Sequence, residues 1–68
     1  MTHIELNNIK AGDKVIDTRT NTTYLVTTQY GNYDGFWMNA IILWNGKVQK
    51  PMTTSAQINE LIENFKLA

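Results

Sequence analysis

Phe36-Trp37-Met38-Asn39-Ala40-Ile41-Ile42-Leu43-Trp44-Asn45-Gly46-Lys47-Val48-Gln49-Lys50 is the stretch on which the fold turns. Its first nine residues are rich in aromatic and β-branched side chains, which favour a pleated, half-buried strand. Asn45-Gly46 follows, and Asn-Gly between two such runs is the strongest short-range hairpin signal, because both residues tolerate positive φ. A two-residue loop predicts that Trp44 opposes Lys47, Leu43 opposes Val48 and Ile42 opposes Gln49. Trp37, Ile41 and Leu43 then share a face with Val48, while Phe36, Met38, Ala40, Ile42 and Trp44 occupy the other. Both faces are apolar, whereas a strand with one wet face alternates cleanly. Each side therefore needs a cover.

Working outward toward the C-terminus, Ile58, Leu61, Ile62 and Phe65 follow the i, i+3, i+4, i+7 spacing of one helical face. Thr54-Ser55-Ala56-Gln57 has the form of a capping box, and Pro51 lies upstream of the helix, where it does no harm. The spacing predicts an amphipathic helix over about 55–66. Three turns do not persist alone in water, so the helix must dock on the sheet.

Toward the N-terminus, Lys14-Val15-Ile16-Asp17-Thr18 and Thr23-Tyr24-Leu25-Val26-Thr27-Thr28-Gln29 read as two more strands, joined by the polar Arg19-Thr20-Asn21-Thr22. Gly12-Asp13 marks the entry to the first. The opening segment reads two ways: Ile4 and Leu6 alternate like a short strand, and Asn7-Asn8-Ile9 could start a helical turn. The chain of 68 residues has room for one domain, 1–68, with its strands within about 13–50. The expected fold is mostly β, a small α+β domain. A four- to five-stranded antiparallel sheet curls as a partial barrel, and the C-terminal helix covers it.

Ile9-Lys10-Ala11-Gly12-Asp13-Lys14-Val15, followed by a polar turn and Tyr24-Leu25-Val26, resembles the opening hairpin of small SH3-like barrels, including KOW-type domains. The resemblance covers the first half of the chain and implies an SH3-like barrel. The chain departs from the KOW pattern at Asn21, where a turn glycine is usual. It also lacks the basic surface that those domains use on RNA or ribosomes.

Composition narrows the function. Six basic and six acidic side chains cancel, which argues against a polybasic nucleic-acid binder and against an acidic DNA mimic. Without cysteine there is no disulfide framework and no thiolate metal site, and His3 alone cannot build an imidazole-rich one. No signal-peptide pattern opens the chain and no apolar run approaches the roughly 20 residues of a spanning helix, so a cytoplasmic location is expected.

Catalytic material is scarce, and a non-enzymatic protein is expected. Ser55, the single serine, is accounted for at the helix start, and His3 has no evident partner for nucleophilic catalysis. Asp13 and Asp17, four residues apart on a strand, would stand roughly 13 Å apart. Glycosidase carboxylates need about 5 to 9.5 Å. Asn32-Tyr33-Asp34-Gly35 fails as a calcium loop: aligning Gly35 with the loop glycine puts Tyr30 and Ile41 where carboxylates belong. No motif asks for a cofactor or a metal.

Tyr30-Gly31-Asn32-Tyr33-Asp34-Gly35-Phe36-Trp37 concentrates aromatics around two glycines between strands. The structural reading makes Phe36 and Trp37 the start of the next strand, with the tyrosines at the core's rim. The functional reading makes Tyr30, Tyr33, Phe36, Trp37 and Trp44 a protein-binding set. The leading expectation is a small adaptor or inhibitor acting through protein contacts, with self-association as an extension. The cysteine-free, Asn/Thr/Ile-rich composition suits a phage or mobile-element accessory protein. One alternative is a nucleic-acid-binding barrel that uses Tyr30, Tyr33 and Trp37 to stack bases, with Lys14, Lys47 and Lys50. A second is a structural subunit of an oligomeric assembly.

Overall fold

The computed structural model describes residues 1–68, except for the side chain of Tyr33. Its elements run α1 (His3–Asn8), β1 (Lys14–Asp17), β2 (Thr22–Thr28), β3 (Gly31–Tyr33), β4 (Phe36–Met38), β5 (Ile41–Trp44), β6 (Gln49–Met52), α2 (Ser55–Asn64) and β7 (Phe65–Leu67). Five strands form one antiparallel sheet in the order β6-β5-β2-β1-β7, and β3 and β4 form a small second sheet. Both helices and one face of the large sheet enclose the core. Strands β6 and β7 are its edges among the described residues, so the sheet is open and no barrel closes.

Period-2 alternation decides which side chains enter the core. Val15, Val26, Ile41, Leu43, Met52 and Phe65 point inward and are buried. Leu6 and Ile9 from the N-terminal segment and Ile58 and Leu61 from α2 complete the cluster. Helix α2 begins as expected: Thr54 Oγ1 accepts from the Gln57 amide at 3.1 Å, and Gln57 Oε1 accepts from the Thr54 amide at 3.1 Å. It ends two residues earlier than the periodicity predicts. Phe65 N–H still donates to the Leu61 carbonyl, but the backbone there is extended (φ −114°, ψ 154°). Phe65 then pairs with Asp17 in the sheet. A buried aromatic at i+7 satisfies a helical pattern and a strand pattern equally well, and the unpaired edge of β1 decides between them.

The N-terminal ambiguity resolves as a helix. Thr2 and Glu5 form a second capping box, with Glu5 N–H donating to Thr2 Oγ1 at 3.1 Å and Thr2 N–H to Glu5 Oε1 at 2.9 Å. The helix buries Leu6 and leaves Ile4 exposed. In the β1–β2 turn, Asn21 takes the left-handed conformation (φ 58°), which asparagine adopts more readily than most residues.

Two hairpin expectations are corrected. The run 36–44 is not one strand, because it breaks at Asn39-Ala40 and its first part pairs with β3. The two-residue turn with both residues at positive φ is Asp34-Gly35 (φ 50° and 84°), closing the Tyr33–Phe36 pair. At Asn45-Gly46 only the glycine has positive φ (97°). Asn45 Oδ1 instead accepts from the Lys47 and Val48 amides, each at 2.9 Å, an Asx-type turn. The loop spans residues 45–48, and Trp44 opposes Gln49, Leu43 opposes Lys50, Ile42 opposes Pro51 and Ile41 opposes Met52. Val48 therefore sits in the turn, exposed, rather than opposite Leu43.

Candidate functional site

The β3–β4 hairpin is inserted between β2 and β5, just past an irregularity where the β2–β5 register shifts between Val26 and Thr28. Such a bulge bends the strand and re-aims the chain beyond it. Asn32 Oδ1 accepts from the Gly35 amide at 3.2 Å and steadies the turn from inside. Tyr30 anchors the root, packed against the core, and meets the Trp37 ring edge-on with centroids 5.8 Å apart and planes at 71°. The indole N–H donates to Asn39 Oδ1. Trp37 is thus fixed along one edge and still 60% exposed, and Phe36 is 73% exposed. The Trp37 ring, held in place and open to water, is what an interface anchor requires, since little rotamer freedom remains to be lost on binding. Phe36, its neighbour in β4, points to the opposite face of the hairpin.

The predicted protein-binding residues do not form one patch. Tyr30, Phe36 and Trp37 belong to the hairpin and its root, while Tyr33 lies outside the described side chains. Trp44 stands on the outward face of the large sheet, opposite Leu25 and Gln49. Its neighbours make a second surface that the sequence reading did not single out. Lys14 and Leu25 are partners in the Trp44 row, Ile42 opposes Pro51 one step along, and Ile16 pairs with Lys66. Ile16, Leu25, Ile42 and Trp44 are half-buried, and none belongs to the core or packs against it. The signal was the alternation in Lys14-Val15-Ile16-Asp17, where Val15 and Asp17 go inward and leave Ile16 outside.

The lysines of the nucleic-acid alternative are also separated. Lys14 is outward, Lys47 is exposed in the β5–β6 turn, and Lys50 points inward opposite Leu43. The Lys50 ammonium lies 5.9 Å from the Tyr24 ring centroid and 5.7 Å from that of Phe65, a cation–π engagement that uses it structurally. These three do not line one groove.

Asp17 is the buried charge among the described residues, inward-facing beside Phe65. It accepts from the Arg19 amide at 3.0 Å, Nε at 3.2 Å and Nη2 at 3.1 Å, and the same Nη2 reaches Glu60 of α2 at 2.7 Å. Hydrogen bonds from Arg19 hold the Asp17 carboxyl below the ordinary carboxylate range, against the opposing effect of burial. The Arg19 guanidinium is raised in turn by Asp17 and Glu60. This triad ties the β1–β2 turn to α2.

A cleft of about 430 Å³ opens between Tyr30, Asn39 and the start of α2, and His3 and Ser55 both line it. Among the described residues no hydrogen bond joins those two side chains, and no three His, Asp or Glu side chains gather to hold a metal ion. Among the described residues no helix is long and apolar enough to cross a membrane. Compared with known proteins, the chain matches no protein-family model, no curated protein and no solved structure.

Proposed function

We propose that this chain is a small non-enzymatic binding protein, an adaptor or inhibitor, that grips another protein through its β3–β4 hairpin. The observation that carries the reading is the exposure of Phe36 (73%) and Trp37 (60%) on strand β4 of the hairpin. A chain of 68 residues has little apolar surface to spare for its own core, so leaving two large aromatics outside it favours a use elsewhere. The Tyr30 contact and the Asn39 hydrogen bond keep Trp37 ready to dock.

In the same reading the sheet is an open relative of the small SH3-like barrels that the first half of the chain resembles. The return of β7 to pair with β1 supports that view. The setting we infer is the cytoplasm, with the composition of a phage or mobile-element accessory protein.

Affinity capture from a nuclease-treated bacterial lysate tests the proposal, comparing the wild-type chain with Phe36→Ser and Trp37→Ser. A hot-spot role predicts one protein recovered in stoichiometric amount and depleted at least about tenfold by either substitution. Recovery that ignores both substitutions, or that needs intact nucleic acid, refutes it.

A further inference from the structure

Two apolar surfaces stand out among the described residues, the acid-tipped hairpin and the outward face of the large sheet, and their charges are opposite. On the outward face the Leu25–Trp44 pair and the Ile42–Pro51 pair adjoin Ile16. The ionisable side chains on that face are Lys14 and Lys66, both cationic and both exposed. Apart from Asp34, the side-chain carboxylates lie elsewhere: Asp17 is inward, Asp13 turns back to accept from the Lys10 amide, Glu5 caps α1, and Glu60 and Glu63 are on α2. Within β3, β4 and the turn between them the single charged residue is Asp34, exposed at the tip beside Phe36.

We propose that the hairpin of one copy docks on the outward sheet face of a second copy, so that chains associate head to tail. This rests on the reading of the hairpin as a binding element, with a second copy occupying it in the absence of a foreign protein. Charge selects the arrangement. A symmetric contact between two sheet faces would bring together two faces whose ionisable side chains are all cationic, and one between two hairpins would bring together two acidic tips. Only the mixed contact brings Asp34 toward the lysines while covering Phe36 and Trp44 together.

Placement then fixes the outcome. The hairpin is rooted through Tyr30 on the helix-covered side of the sheet, and the patch lies on the other side. The contact is therefore heterologous, leaves one hairpin and one face free at the ends, and permits growth beyond a dimer.

Sedimentation equilibrium or light scattering from about 1 µM to about 1 mM tests this. The mean mass should climb above the 7.8 kDa monomer with concentration and should not level off at twice that value. Added salt should weaken the association, since the exposed charges are screened. Phe36→Asp should disable the hairpin and the Lys14→Glu/Lys66→Glu pair the face, each leaving a monomer. These positions are exposed, and unchanged circular dichroism checks that the fold survives.

The decisive sample is an equimolar mixture of those two variants. Each retains the surface the other has lost, so the mixture should form a 1:1 dimer and stop there. Asp34→Asn, which tolerates the left-handed backbone (φ 50°), should weaken wild-type association several-fold. A mass fixed at the monomer to about 1 mM, single-sided variants that associate like wild type, or a mixture that fails to pair would each overturn the proposal. A monomeric chain that still captures a foreign protein through Phe36 overturns this inference and leaves the hairpin reading standing. Self-association without any foreign partner supports the inference and removes the adaptor role.

Discussion

Replacing Leu61 with alanine tests how α2 is seated, because the structure ranks its apolar residues where sequence spacing treats them as equals. Leu61 is completely buried, whereas Ile62 is only partly buried at the edge of the core. Leu→Ala removes three carbons, about 2.4 kcal/mol at roughly 0.8 kcal/mol per buried methylene. A cavity term adds to that, because packed surroundings relax only in part, and the total should be about 3 to 4 kcal/mol. At Ile62 the lost burial is smaller and solvent fills the space, so about 1 to 2 kcal/mol is expected.

A domain of 68 residues has about 3 to 10 kcal/mol in all. At roughly 4–8 °C per kcal/mol, Leu61→Ala should lower the melting temperature by about 12–30 °C. Urea titrations followed by far-UV circular dichroism measure both variants, with sucrose added to wild type and mutants alike if Leu61→Ala is largely unfolded in buffer. An Ile62→Ala variant as costly as Leu61→Ala, or a Leu61→Ala variant that melts like wild type, would refute this seating of the helix.

Two further outcomes test the turn and the buried charge. Gly35→Ala should cost about 1 kcal/mol in urea titrations, purely through its positive φ (84°), because a Cβ there meets nothing within 4 Å. Asp17 should supply an acid limb to stability. Its folded pKa is depressed by Arg19, so its contribution is present above the unfolded value near 3.8 and is lost as pH falls through the lower folded value. Urea midpoints between pH 2 and pH 7 should therefore drop less steeply on acidification in Asp17→Asn than in wild type, and equal slopes would contradict the role given to the triad.

Much of the fold is written in local chemistry. The strands at 14–17 and 22–28 announce themselves by β-branched residues on either side of a polar turn, and Thr54 and Gln57 fix the start of α2. Thr2-His3-Ile4-Glu5 carries the same capping signature as Thr54–Gln57, so α1 was legible too, although the alternation of Ile4 and Leu6 masked it. Strand β7 was not legible. Three residues hold no periodic signal, and the pairing that creates it joins Phe65 to Asp17, far away in sequence.

The candidate site depended on register, and register depended on which of two glycine turns took the tight form. Asn45 offers a side-chain oxygen to the Lys47 and Val48 amides, and that bond competes with the backbone conformation that a two-residue loop demands. The core then decides. A two-residue loop would set Lys50 opposite Ile41 near the centre of the inward face. The observed register, longer by two, buries Met52 there and moves Lys50 outward along the strand to Leu43. At that position the ammonium lies over the rings of Tyr24 and Phe65 instead of deep in apolar surroundings.

Because the shift is by two residues, the faces of β5 keep their identity, with Ile41 and Leu43 inside and Ile42 and Trp44 outside. Phe36 and Trp37 leave the large sheet altogether, since Asp34-Gly35 folds them back on β3. The nine-residue run that reads as one strand apolar on both faces is two short strands serving different ends. Half of it completes the core. The other half stands in water, and its exposed aromatics are the reason to look for a binding partner.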